Sequence, residues 1–341
     1  MLVPRRGALV TLLALAPALA GCGSSSTHAT SAAAATTQAT SITSTTAAPP
    51  AAVDELALAE RPSADGFPKA AGRTLQQLAN TVRSTATMTA ATGVFTPGTR
   101  RYAFAMTTSG GAYIYAPTVL YIGRTPESKA SGPYLAPADP MTVAPQFRSQ
   151  QNSGPGGIRA IYAAKLPLPR SGTYAILALT RTTHGITGAT SEVAVAASSP
   201  IPNVGQRPPD IATDTHGAIS HLTTRVPPES MHSVSLNQVL GKRPVALLFS
   251  TPQLCTSRVC GPVTDVAVEL QHQFGNRIAF IHEEVYVNNN PKQGLRPQLK
   301  EFHLQTEPWM FVINSRGVIV ARFEGAFGTT ELRGALEQAL R

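Results

Sequence analysis

The stretch that most restricts the fold lies in the last third of the chain. Pro244 to Ser250 (PVALLFS) is almost continuously apolar, and a strand without alternation has to be covered on both faces. Beyond a short loop, Val263, Val266, Ala267, Leu270 and Phe274 recur at spacings of three and four, with Asp265, Glu269 and Gln273 between them. That spacing predicts a helix with one apolar face, the three polar residues turned away from it. The strand therefore reads as a buried central one, followed by an amphipathic helix. The rest of this segment agrees: Arg277 to Tyr286 reads as a strand, Leu295 to Phe302 as a helix, Trp309 to Ile313 as a strand, Asn314 to Gly317 as a tight turn and Val318 to Phe323 as its hairpin partner. Thr329 or Thr330 is expected to cap a last helix that buries Leu332, Ala335, Leu336, Ala339 and Leu340.

Between the apolar strand and its helix stands LCTSRVCGPV, residues 254 to 263, with two of the three cysteines of the chain. The third, Cys22, ends the leader MLVPRRGALVTLLALAPALAGC, in which Arg5 and Arg6 precede an apolar run from Ala8 to Ala20. The run is too short to span a bilayer. Its end, Leu19-Ala20-Gly21-Cys22, resembles the bacterial lipoprotein box, in which the cysteine sulfur receives a diacylglyceryl group and becomes the mature amino terminus. The resemblance implies lipid attachment at Cys22, a place on the extracytoplasmic face of the cell membrane, and an oxidising setting in which Cys255 and Cys260 have only each other as intrachain partners. The chain is basic, with a formal charge of +9, and stays basic when Arg5 and Arg6 leave with the leader. A positive balance suits anionic lipid or envelope polymer; the basic residues are scattered, and no nucleic-acid partner is expected.

From residue 23 to 52 the sequence is Ser, Thr and Ala with almost no charge and no apolar period. Such a segment cannot bury a core and reads as a tether with a reach of roughly 30 Å. Residues 53 to 200 open with helical segments near Glu55 to Ala59 and Leu75 to Val82. Short β-branched and aromatic runs follow, broken by Gly and Pro: RYAFAMTT, GAYIYAPTVLYIG, IRAIYAAKLPL, TYAILALTRT and SEVAVAAS. These predict an all-β sandwich of immunoglobulin-like size. It carries no catalytic motif, its aromatic residues read as core, and His184 reads as a solvated turn residue. Residues 201 to 232, rich in proline and polar side chains, read as a connector, and 233 to 341 form the α/β unit.

Three features of that last unit resemble the thioredoxin-like fold: the cysteines of TPQLCTSRVCGPV directly after PVALLFS, the Thr306-Glu307-Pro308-Trp309 stretch before a strand, and the closing hairpin and helix. The resemblance implies a cis Pro308 facing the active cysteine and shaping a substrate groove. It also implies thiol–disulfide exchange with a thiol- or disulfide-containing envelope protein, Cys255 acting as nucleophile and Cys260 as its partner, without cofactor or metal. Independently, a thiol at a helix amino terminus meets free backbone N–H groups and the positive end of the macrodipole, which favour thiolate; Arg258 is expected to add to this. Within the superfamily, Cys255 and Cys260 are similar in spacing to the C-x4-C of bacterioferritin-comigratory peroxiredoxins, while Cys260-Gly261-Pro262-Val263 is similar to Cys-x-x-Cys with Val263 in the second place. Copper delivery through both thiols and either His282 or His303 is a further relative's chemistry. A permanent Cys255–Cys260 bridge in a domain that only binds is the structural alternative, stabilising by about 2–3 kcal/mol at most for so short a loop.

Overall fold

The structure, a computed structural model, describes residues 54–82, 86–152, 154 and 157–341, and all of them belong to one compact unit. The leader, Cys22 and the tether therefore lie outside the described residues. Among the described residues no helix is long and apolar enough to cross a membrane.

Two short helices, α1 (Glu55–Glu60) and α2 (Leu75–Ala79), precede eight strands. These are β1 (Ala86–Ala90), β2 (Gly98–Thr108), β3 (Thr118–Gly123), β4 (Ser131–Leu135), β5 (Ala138–Pro140), β6 (Ala160–Leu168), β7 (Gly172–Thr182) and β8 (Gly185–Val195). They make two antiparallel sheets ordered β1-β2-β6-β5 and β4-β3-β7-β8. The alternation of Tyr102, Phe104 and Met106 turns these side chains into one core shared with Leu120, Ile122, Tyr162 and Ile176 from both sheets. Phe95, Tyr102, Phe104 and Tyr162 run as a column of rings with centroids 5.3 to 6.1 Å apart. At the start of β7 the Tyr174 hydroxyl donates to the Arg170 carbonyl and accepts from the Arg170 N–H, pinning the turn from β6. Most of the aromatic residues are thus core, Tyr113 being an exposed exception, and His184 is exposed in the turn between β7 and β8.

The alternate residues of the first sheet are covered too. Ala103 of β2 and Ile161 of β6, with Met141 and Val143 beyond β5, join a second core built with the carboxy-terminal unit. Hence β6 is buried at five consecutive positions, Ala160 to Ala164.

The connector carries α3 (Ile219–Leu222), and part of it packs, with Ile201, Leu222 and Met231 buried; α4 (Leu236–Val239), with Leu236 and Val239 buried, opens the last unit. The last unit runs β9 (Val245–Phe249), α5 (Cys260–Phe274), β10 (Ala279–Glu283), α6 (Pro297–Glu301), β11 (Trp309–Ile313), β12 (Ile319–Glu324) and α7 (Thr329–Ala339). Its sheet has the order β10-β9-β11-β12, with β9 and β10 parallel and the other pairs antiparallel. In β9, Ala246 and Leu248 face the core under α5 and α7, while Val245, Leu247 and Phe249 face a core closed by α4 and α6. The chain order and the α/β layering are those the thioredoxin-like resemblance implies.

Three sequence expectations fail here: Leu340, expected on the buried face of α7, stands at its carboxy cap and is 38% exposed, and two others fail because the first unit supplies a partner the local sequence does not contain. Neither Thr329 nor Thr330 caps α7; the residue before it is Gly328, without a side-chain cap. Asp139, from β5, does that work instead, accepting from the N–H groups of Gly328 at 2.6 Å and Thr330 at 2.8 Å. Asp265 does not turn away to solvent but is fully buried. One of its oxygens accepts from the Ser149 N–H, the Ser149 hydroxyl and Asn152 Nδ2, and the other pairs with Arg225 Nε at 3.0 Å.

Candidate functional site

β9 delivers the chain to the top of the sheet at Ser250 and Thr251, and the loop to residue 259 carries Cys255 back over the start of α5. The helix begins at Cys260 itself, five residues later than the first thiol. Cys260 is buried and Cys255 half-buried, both as free thiols. Their sulfurs and a Glu307 carboxylate oxygen all lie within 4.8 Å of one another. The Thr264 hydroxyl donates to the Cys260 carbonyl at 2.7 Å, fixing the first turn. Gly261 is required by a close approach: a Cβ there would strike the carbonyl of Gln151 from the first unit.

The Cys255 thiol is pulled down to about 6, chiefly by a hydrogen bond from the Cys260 thiol, against opposing burial. The Ser257 hydroxyl and the backbone N–H groups of Cys260 and Val259 add to it. Ser257 Oγ lies 3.2 Å from the Cys255 sulfur. These backbone donors are the free N–H groups of a helix amino terminus, which stabilise a thiolate. Arg258 adopts a left-handed backbone and is exposed. Burial and the neighbouring thiol push Cys260 the other way, well above the ordinary thiol range. One sulfur is therefore set up as thiolate and the other as proton donor to it.

Glu307, within the Thr306-Glu307-Pro308-Trp309 stretch, is the residue that sequence reasoning missed. Its carboxylate accepts from the Thr251 N–H at 2.9 Å and faces the Cys260 thiol at 3.5 Å. Burial and the charge of Cys255 push it up to about 8. The signal in the sequence is an acidic residue directly before a proline that opens a fully buried strand, which has to be held by a partner. The Glu307–Pro308 bond is cis, and Pro308 is buried beside the thiols' carboxylate.

A groove of about 500 Å³ lies alongside, lined by Ile219, Thr223, Val226, Pro228, Gln253 and Leu254 among others. The last two belong to the Cys255 loop. A hollow of about 670 Å³ at the seam of the two units is lined by neither thiol nor imidazole. His282 is fully buried and bonded to Glu229 and Ser250, and His303 is exposed. Among the described residues no imidazole joins the thiol group.

No protein-family model matches the sequence, and no curated protein matches it. Among solved structures the chain is similar to a candidate thiol:disulfide interchange protein DsbE from Chlorobium tepidum, at 14% identity, over 41% of this chain and 99% of that one, with a TM-score of 0.30. A thioredoxin-like protein in its oxidized form matches at 13% identity over 33% of this chain and 86% of that one, TM-score 0.27. A thioredoxin-family thiol:disulfide interchange protein from Chlorobium tepidum TLS matches at 16% identity over 43% and 100%, TM-score 0.27. Likenesses this distant fix no chemistry, because one fold serves many functions.

Proposed function

We propose that this is a membrane-anchored extracytoplasmic protein that exchanges thiols and disulfides through Cys255 and Cys260. The observation that carries the reading is the asymmetry of the pair. A half-buried sulfur lowered to about 6 lies within 4.8 Å of a buried sulfur whose proton is held more tightly than usual. A permanent staple needs no such difference between its two halves.

In the reducing direction, the Cys255 thiolate attacks one sulfur of a substrate disulfide, forming a mixed disulfide and expelling a substrate thiolate. Cys260 then loses its proton and attacks the Cys255 sulfur, so that a Cys255–Cys260 bond forms and the second substrate sulfur leaves. The substrate gains two electrons and the pair loses them. Glu307 stands where it can take the Cys260 proton and hand it to a leaving thiolate, and Pro308 closes the substrate side of the site. The oxidising direction is the same sequence reversed.

The leader ending in Cys22 supports lipid attachment at that residue, with residues 23 to 52 as the spacer between lipid and folded unit. The strand orders of the first unit and the Tyr174 hydrogen bonds to Arg170, which form a tyrosine corner, support reading it as an immunoglobulin-like sandwich. Copper delivery has less behind it, since no imidazole stands at the thiols among the described residues. Insulin reduction by the full chain, driven by dithiothreitol, is expected to exceed the reductant alone and to fall to that background in Cys255→Ser. Equal rates for the two proteins would leave the binding-module reading. Membrane association is expected to be lost in Cys22→Ser; unchanged association would refute the anchor.

A further inference from the structure

Away from the thiols, a second set of ligating side chains converges beneath β10. Glu229 and His232 come from the end of the connector and His282 from β10 itself. Glu229 Oε1 lies 2.6 Å from His232 Nε2 and 2.8 Å from His282 Nδ1. The three atoms are all within 4.8 Å of one another. Glu229 and His282 side chains are 0% exposed and that of His232 is 7% exposed.

Both imidazoles point at the same carboxylate oxygen. His282 Nε2 lies 3.0 Å from the Ser250 carbonyl oxygen, and a carbonyl can only accept, so the proton is on Nε2. Glu229 Oε1 faces Nδ1 at 2.8 Å as well, so without a metal the ring has to carry a second proton as an imidazolium paired with the carboxylate, and a metal ion would take the place of that proton. His232 points at the same oxygen, and its own Nδ1 is buried without a partner. One carboxylate oxygen thus faces two imidazole nitrogens in a place with almost no water. A cation between them would satisfy all three atoms together.

We propose that Glu229, His232 and His282 form a zinc-type divalent metal site, ligating through Oε1, Nε2 and Nδ1. Two imidazoles and a carboxylate are a recognised donor set for zinc, with the fourth position left to water. Two rings on one tetrahedral zinc, at Zn–N of about 2.0–2.1 Å, have centres about 5 Å apart; here the centroids are 5.5 Å apart. The ligand atoms need to separate by only some tenths of an ångström to admit the ion. The outer partners that orient metal ligands are already in place. Ser250 holds the far nitrogen of His282, and the Thr223 hydroxyl donates to Glu229 Oε2 at 2.9 Å. Thr223 also lines the groove beside Cys255. The site uses neither thiol. A chain of hydrogen bonds ties it to the thiol helix through Ser250 Oγ, Thr264 Oγ1 and the Cys260 carbonyl, at 2.9, 2.9 and 2.7 Å.

The test is made on the full chain carrying Cys255→Ser and Cys260→Ser, so that zinc held by thiols cannot contribute and the exchange reading is not at stake. After chelator treatment the protein is titrated with zinc against a chromophoric competitor. One equivalent bound below about 1 μM is expected, weakened about tenfold or more by His232→Ala, at the partly exposed edge of the cluster. Cobalt in place of zinc is expected to give visible d–d bands of tetrahedral intensity, a readout that needs no histidine variant to fold. Absence of binding up to about 100 μM, six-coordinate cobalt bands, or unchanged affinity in a folded His232→Ala protein would each overturn the site, the last showing adventitious binding at other histidines.

Discussion

Cys255 gets its acidity from hydrogen-bond donors rather than from a neighbouring cation, and this has a direct pH signature. A thiol titrating at about 6 is largely thiolate at neutral pH, whereas an ordinary one becomes so only near 8.5. Alkylation of Cys255 in a Cys260→Ala background would lose the largest donor, so the profile has to be taken on the reduced wild type. Its rate is expected to rise through pH 6 and level off by about pH 7, with Cys260 remaining unmodified; a midpoint near 8.5 would contradict the assignment. Glu307→Gln keeps an acceptor for the Thr251 N–H but cannot take a proton. The attack of Cys260 is expected to slow about tenfold or more at pH 8, trapping the mixed disulfide, while the Cys255 midpoint does not rise. At this scale the sequence singles out the two cysteines and Pro308 as candidates, because thiols are few and a proline before a buried strand is conspicuous. It does not reveal Glu307, Glu229 or His232, whose roles depend on what faces them across the fold.

The elements themselves are legible wherever their pattern is internal. The apolar run of β9, the three-and-four spacing of α5 and the Trp309–Ile313 strand all lie where the sequence places them. What fails is the environment of single positions on those elements. Asp265 looks like the polar face of α5 until Arg225, Ser149 and Asn152 are seen around it. Removing it would leave Arg225, only 4% exposed, without its charge partner, so Asp265→Ala is expected to cost about 3–5 kcal/mol in urea unfolding. The cap of α7 is a smaller case. Asp139→Ala leaves the Gly328 and Thr330 N–H groups unpaired and is expected to cost about 1–2 kcal/mol, with Asp139→Asn losing less because an acceptor oxygen remains. A loss within a few tenths of a kcal/mol for both variants would show that water replaces the carboxylate.

For the molecule as a whole, composition marks the change of rhythm after residue 233, but not that the two folded parts share a core. Ala103 and Ile161 are inconspicuous between the aromatic positions of their strands, yet they close the apolar layer that also holds Val263, Leu332 and Leu336. Arg101 reaches across to Glu331 at 2.6 Å and Gln151 lies over Gly261. A fragment of residues 233–341 alone would expose that layer and is expected to aggregate or to unfold at lower urea than residues 54–341; equal stability would mean that the seam contributes little. The first unit thus supports the thiol helix directly. The claim on which the rest depends is that Cys255 and Cys260 form a labile couple. Equilibrating the full chain in glutathione or dithiothreitol redox buffers and counting free thiols by mass after alkylation measures this without a known substrate. A single two-electron transition between about −270 and −120 mV is the expected result. A potential below about −300 mV, or no interconversion at all, would contradict it.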